Sequence, residues 1–182
     1  MNVLAFIPAR GGSKGLPMKN IRKLAKMPLI KHSILTAKKS KVFDKIIVST
    51  DNKKIAQIAK NSGAEVPFLR PKNISQNNST TLEAIKHALY FLENEKFYVP
   101  DIIVVLQPTS PLRIDGEIKK AVNILKKSNA TSVISVKELK THPYSSFFLK
   151  SEFLKPFNKD FERYSLRQKK PILYYPTGAL YV

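Results

Sequence analysis

A chain of 182 residues with 43% hydrophobic content suits one domain, perhaps with a small appendage, and can bury a proper core. No apolar run approaches a membrane span. Pro8 and Arg10 arrive too early for a signal peptide, and the absence of cysteine excludes disulfides and thiol catalysis and fits a cytoplasmic protein. The formal net charge of +19 suggests a polyanionic partner, but the lysines lie as scattered pairs (Lys38-Lys39, Lys53-Lys54, Lys119-Lys120, Lys126-Lys127). Such pairs mark solvated helix faces, so neither a nucleic acid nor a membrane is the expected partner.

In chain order, 3–7 is a continuous apolar run, as in a buried parallel strand, and a glycine-rich basic loop follows it. Residues 29–37 carry Leu29, Ile30, Ile34 and Leu35 at helical spacing behind Pro28. A second buried strand spans 45–49, and a helix over 52–61 closes at Gly63. Asp51 reads evenly as the N-cap of that helix or as a ligand. Residues 65–69 are extended and end at Arg70-Pro71. A third helix over 79–93 places Leu82, Ile85, Leu89 and Leu92 on one side. Strand 102–106 stops at Gln107-Pro108, helix 115–127 follows, and 132–136 is a further strand.

Strands alternating with helices imply an α/β fold: a mainly parallel sheet with helices on both faces and ligand loops after the strand C-termini, at 8–20, 50–52 and 107–113. The expected organisation is a nucleotide-binding core over 1–140, an arm over 141–176 that is rich in aromatics and lacks periodicity, and a return to the sheet over 177–182. The run Gly178-Ala179-Leu180-Tyr181-Val182 resembles the start of a strand, so the C-terminus is expected to be missing.

The strongest chemical signal is the loop 8–20. It holds Gly11, Gly12 and Gly15 of the protein's six glycines, with Arg10, Ser13, Lys14 and Lys19 among them. Glycines allow close backbone approach to an anion, and the cations suit a triphosphate. The loop matches neither the P-loop nor the dinucleotide fingerprint.

The block Ala9-Arg10-Gly11-Gly12-Ser13-Lys14-Gly15-Leu16-Pro17-Met18-Lys19-Asn20 is similar to the signature loop of CMP-sialic acid synthetases, the acylneuraminate cytidylyltransferases. Four later blocks recur in that family's order: Val48-Ser49-Thr50-Asp51, Phe68-Leu69-Arg70-Pro71, Leu106-Gln107-Pro108-Thr109-Ser110-Pro111-Leu112-Arg113 and Gly178-Ala179-Leu180-Tyr181. The resemblance implies a Rossmann-like nucleotidyltransferase, a homodimer with a dimerisation arm, and a Mg²⁺-dependent reaction. CTP reacts with an acidic nine-carbon sugar to give the CMP-sugar and pyrophosphate. It assigns nucleotide binding to Arg10, Asn20, Arg70, Ser79 and Thr81, with Gly11, Gly12, Ser13 and Lys14 in the triphosphate loop. Lys19, Gln107 and Arg167 become the catalytic candidates. Gln107, Thr109, Ser110 and Arg167 become the sugar-binding ones.

The family carries a late Asp-x-Asp motif that binds Mg²⁺, and no residue of this chain is expected to replace it as a metal ligand. Thr177, Tyr175 and Asn77 depart from the family's usual residues, which leaves the acid open among sialic, legionaminic and related types; a pseudaminate or 3-deoxy-manno-octulosonate enzyme is the alternative within the class, against which Gly15 and the run Ser13 to Asn20 respectively argue. A truncated, catalytically inert nucleotide-binding module is the alternative from another class.

Overall fold

The first strand is apolar throughout because both of its faces are covered. The computed structural model of the protein describes residues 1–182 apart from 14, 160, 161 and 163–165. In it, β1 (Val3–Pro8) pairs in parallel with β4 (Lys45–Ser49) on one side and with β5 (Ile102–Val105) on the other. Side chains alternate across a strand. Val3, Ala5 and Ile7 share one core cluster with Ile30, Ile34 and Ala37 of α1 (Leu29–Ser40) and with Ile55 and Ala59 of α2 (Lys53–Asn61). Ile118, Ala121 and Val122 of α4 (Glu117–Lys127) complete that layer. Phe6 and Leu4 instead cluster with Ala84, Ala88 and Leu92 of α3 (Thr81–Lys96). The sheet is therefore covered by helices on both faces, in the Rossmann-like manner.

Contacts divide the chain into two compact units, Met1–Ile134 with Gly178–Val182, and Ser135–Thr177. In the first, the strand order is β4-β1-β5-β9, where β9 (Tyr174–Tyr181) runs antiparallel to β5 through Val105 and Tyr181. In the second, Ser135 meets Thr177 and Leu139 hydrogen-bonds Leu173, between β6 (Ile134–Glu138) and the approach to β9. An antiparallel hairpin, β7 (Phe147–Lys150) with β8 (Phe153–Pro156), lies farther along the same unit. The boundary falls at 134/135 and 177/178, so β6, expected within the core, belongs almost wholly to the second unit.

Several local expectations are corrected. The buried stripe of α3 is Ala84, Ala88 and Leu92, whereas Leu82 is 59% exposed. Small alanines, not the leucine, face the sheet there. The 3-10 turn Lys19–Ile21 and the two-residue pair β2 (Lys23–Leu24) and β3 (Met27–Pro28) were not anticipated. Their turn uses Ala25 and Lys26 at positive φ, residues that give no turn signal. Among the described residues, the ladder contact within 65–69 is a bridge from Glu65 to Ile47.

Candidate active site

Parallel strands place their C-terminal loops on one edge of the sheet, and the loops after β1, β4 and β5 meet there. A cleft of about 540 Å³ opens at that edge. Arg10, Ser13, Lys19 and Asn20 line it from the first loop, Arg70 and Ser79 to Thr81 from the segment before and into α3, and Gln107 to Thr109 from the loop after β5.

The first loop is tied down from within the protein. Asn20 is buried and its Nδ2 donates to the Arg10 carbonyl at 2.9 Å. The Gly11 amide donates to Asp51 Oδ1 at 2.8 Å, and the Ser13 amide to the Gly11 carbonyl at 3.0 Å. Both amides are thus engaged inside the chain, while Gly15 lines the cleft with its backbone. Asp51 does not cap α2. That role falls to Asn52, whose Oδ1 accepts from the amides of Lys54 at 2.9 Å and Ile55 at 3.2 Å. A Cβ at Gly11 would stand 3.1 Å from the Asn52 side chain, so this glycine makes a close approach, while one at Gly12 or Gly15 would meet nothing.

Arg70 is buried, not a surface residue. Its Nε donates to Ser49 Oγ at 2.9 Å and its Nη2 to the Ser49 carbonyl at 2.6 Å. Burial lowers its pKa, Asp51 offsets part of that, and the nearby charge of Arg10 lowers it further. Two like charges held together beside a cleft form a receptor for an anion. Arg10 also donates to the Gln76 carbonyl, and Ser79 Oγ accepts from the Gln76 amide at 2.9 Å, which joins the first loop to the 72–80 segment. Among the described residues, the ion pairs are Met1–Asp101, Lys39–Asp115 and Lys45–Glu65, and none engages a cation of the cleft. The lining contains no carboxylate, and no group of three or more acidic, histidine or cysteine side chains among the described residues could hold a metal ion. These residues therefore do not fit a protein-built Mg²⁺ site.

A strand–loop–helix core with a cationic cleft at the strand ends is common to many nucleotide-using folds, so the comparison with known proteins decides among them. A family model described as Cytidylyltransferase matches residues 4–175. The chain belongs to the cytidylyltransferase family. It is 42% identical over 144 residues to CMP-N,N'-diacetyllegionaminic acid synthase of Legionella pneumophila, a match covering 79% of this chain and 61% of that protein. It is 32% identical over 182 residues to pseudaminic acid cytidylyltransferase of Campylobacter jejuni, covering 100% of this chain and 78% of that one. The solved structure of CMP:2-keto-3-deoxy-manno-octonic acid synthetase complexed with CTP superimposes with a TM-score of 0.73 at 14% identity, over 100% of this chain and 73% of that chain. That likeness speaks to the fold.

In this member of the family the cleft gathers Arg10, Ser13, Lys19, Asn20, Arg70 and Ser79 with Thr81, Gln107 and Thr109. Gly11, Gly12 and Ser110 are not in its lining. Ser110 closes a turn by donating its amide to the Gln107 carbonyl at 3.1 Å. Lys14 lies outside the described residues, as does the side chain of Arg167, whose backbone belongs to a 3-10 turn in the second unit. Sequence reasoning missed Thr80, which lines the cleft and caps α3 with Glu83 in a capping box. The pattern Thr80-x-x-Glu83 was the available signal. It also gave no role to Arg113. Burial brings the Arg113 pKa down to about 10 despite Glu117 nearby.

Proposed function

We propose that this chain transfers the cytidylyl group of CTP to an acidic nine-carbon sugar. The anomeric hydroxyl oxygen of the acid attacks the α-phosphorus, the bond from that phosphorus to the bridging oxygen breaks, pyrophosphate leaves with that bond's electron pair, and the hydroxyl proton passes to solvent. The observation that carries this reading is the cleft itself, whose lining combines the cations Arg10, Lys19 and Arg70 with the amide of Gln107. Arginine and lysine stabilise the negative charge on the phosphates, and an amide that both donates and accepts suits a polyhydroxylated acid. Lys19 and Gln107 are the proposed catalytic contacts, with Thr109 beside the acid and Arg167 as its carboxylate partner. Mg²⁺ belongs to the proposal as an activator through the family resemblance, with no described residue assigned to it. We further propose a homodimer joined through the Ser135–Thr177 unit, and a cytoplasmic location, because CTP is a cytoplasmic nucleotide. The 42% identity to the Legionella protein makes N,N'-diacetyllegionaminic acid the first acid to test.

The test is calorimetric titration of CTP together with pyrophosphate release over a panel of nonulosonic acids. Arg10→Ala should weaken CTP binding by about 10- to 100-fold, the worth of a charged hydrogen bond. Unchanged affinity in a folded Arg10→Ala protein removes the loop from the nucleotide site. CTP binding without pyrophosphate release from any acid would favour a nucleotide-binding module.

A further inference from the structure

We propose that Arg113, through a hydrogen-bonded ring with Ser33 and the main chain of Gln107, is a positioning residue that aims Gln107 into the cleft and so governs how the acid, rather than CTP, is held. The inference rests on the proposed role of Gln107 in binding the acid. In the ring, Arg113 Nη1 donates to Ser33 Oγ at 3.1 Å, Ser33 Oγ donates to the Gln107 carbonyl at 3.5 Å, and Arg113 Nη2 donates to that same carbonyl at 2.7 Å. With the Ser110 amide at 3.1 Å, the Gln107 carbonyl receives three donors. Its peptide plane is over-determined at the point where the side chain turns into the cleft.

The same guanidinium also sets the neighbouring chain segment. Arg113 Nε donates to the Ala179 carbonyl at 2.7 Å. The preceding Gly178 has φ 75, and a Cβ there would lie 3.8 Å from Gln107 Oε1. One edge of the fork therefore holds the backbone of Gln107 and the segment that abuts its side-chain amide. Only a planar group with fixed donors spans two carbonyls in this way, and an ammonium cannot reproduce it.

The local pattern is inverted from the ordinary one. Leu112 is 85% and Ile114 is 70% exposed, while Arg113 between them turns inward to neutral acceptors. A charge drawn out of water without a bonded carboxylate costs stability, so an apolar residue would serve the core better. What the arginine supplies is direction for Gln107.

Two variants and two readouts test this. Arg113→Lys keeps the charge and loses the fork. Ser33→Ala opens the ring while keeping a good helix former in α1. Kinetics with CTP and the panel acid that wild type uses best should show kcat/KM for the acid falling on the order of 100-fold in Arg113→Lys, as for a small misplacement at a reacting centre. Ser33→Ala should fall in the same direction by less, with the Kd for CTP as in wild type. Independently of turnover, the side-chain amide NMR signals of Gln107, assigned by their loss in Gln107→Glu, should shift or broaden in both variants. Unchanged Gln107 signals with unchanged acid kinetics overturn the proposal. Equal losses for CTP and acid that track a fall in Tm overturn it too, because Arg113 would then only hold the fold. If wild type turns over no acid in the panel, the functional reading fails, and the Gln107 signals still decide the positioning.

Discussion

His87 shows how a residue behind the cleft records its surroundings. Its ring meets Phe68 edge-on, with centroids 4.7 Å apart at 79°, and its Nδ1 is buried without a hydrogen-bond partner among the described residues. Burial lowers its pKa, and the charge of Arg70 adds to the effect. The folded protein therefore keeps His87 neutral below the ordinary histidine value of about 6.5, whereas the unfolded chain takes up a proton there. The unfolded state binds more protons across that interval, so stability falls as pH drops from about 6.5 through the folded pKa, with no contribution above. His87→Gln should narrow the loss. The Tm difference between His87→Gln and wild type should move in favour of the variant below about pH 6.5 and be flat above it. A difference that is flat from neutral pH to well below that value would show that the site tolerates the imidazolium. Chemistry at this scale was only partly legible in the sequence. Residue types in the first loop pointed to Arg10, and the family resemblance added Arg70 and Gln107. The choice between adjacent Asp51 and Asn52 as cap was not readable, because both are good caps and only the geometry sends Asp51 to Gly11.

Elements meet at the same place. Asn52 caps α2 and also closes on Gly11, where an added Cβ would stand 3.1 Å from the asparagine Cβ and Nδ2. Gly11→Ala should therefore cost about 1–3 kcal/mol through overpacking. Asn52→Gly should cost only a few tenths, since glycine is a tolerable cap. In the double variant the clash is gone, so the two effects should fail to add by about 1 kcal/mol, read from urea unfolding of the four proteins. Additive effects would mean that the loop moves away from α2 freely. The strands β1, β4 and β5 were legible because a strand covered on both faces must be apolar at every position, and such runs stand out. Helix α3 was legible as a helix but not in its face. Periodicity counted leucines, while the sheet accepts Ala84 and Ala88. The pair β2 and β3 left no trace, since two residues per strand are too few for a pattern. The antiparallel sense of β9 follows from tertiary pairing to Val105, which a single segment does not encode.

At the scale of the molecule, the second unit is the part that sequence described least, and its hairpin now gives the proposed dimer a physical basis. Register pairs Phe147 with Pro156 and Leu149 with Leu154, so one face of the hairpin is wholly apolar. Leu149 is 72% exposed and Leu154 63%. A two-stranded hairpin is marginal by itself, and a contiguous apolar face is one that monomers avoid, so a second copy is the expected cover. Electrostatics oppose that association, because each copy carries a formal charge of +19. Screening the repulsion should favour the dimer, so the dimer fraction in light scattering should rise with salt up to about 0.5 M. Binding to a polyanion through the same surplus charge would respond in the opposite sense and weaken with salt. Leu149→Asp with Leu154→Asp should yield a monomer, because association would then bury two carboxylates. CTP affinity should persist in that variant, because the cleft is built wholly from Met1–Ile134. Acid turnover is the informative third reading. If a dimer places Arg167 of one copy at the acid of the other, the monomeric variant should bind CTP and release little pyrophosphate. A wild-type protein that stays monomeric at about 0.5 M salt removes the interface. A monomeric variant with full turnover removes Arg167 from the acid site while leaving the nucleotide half intact.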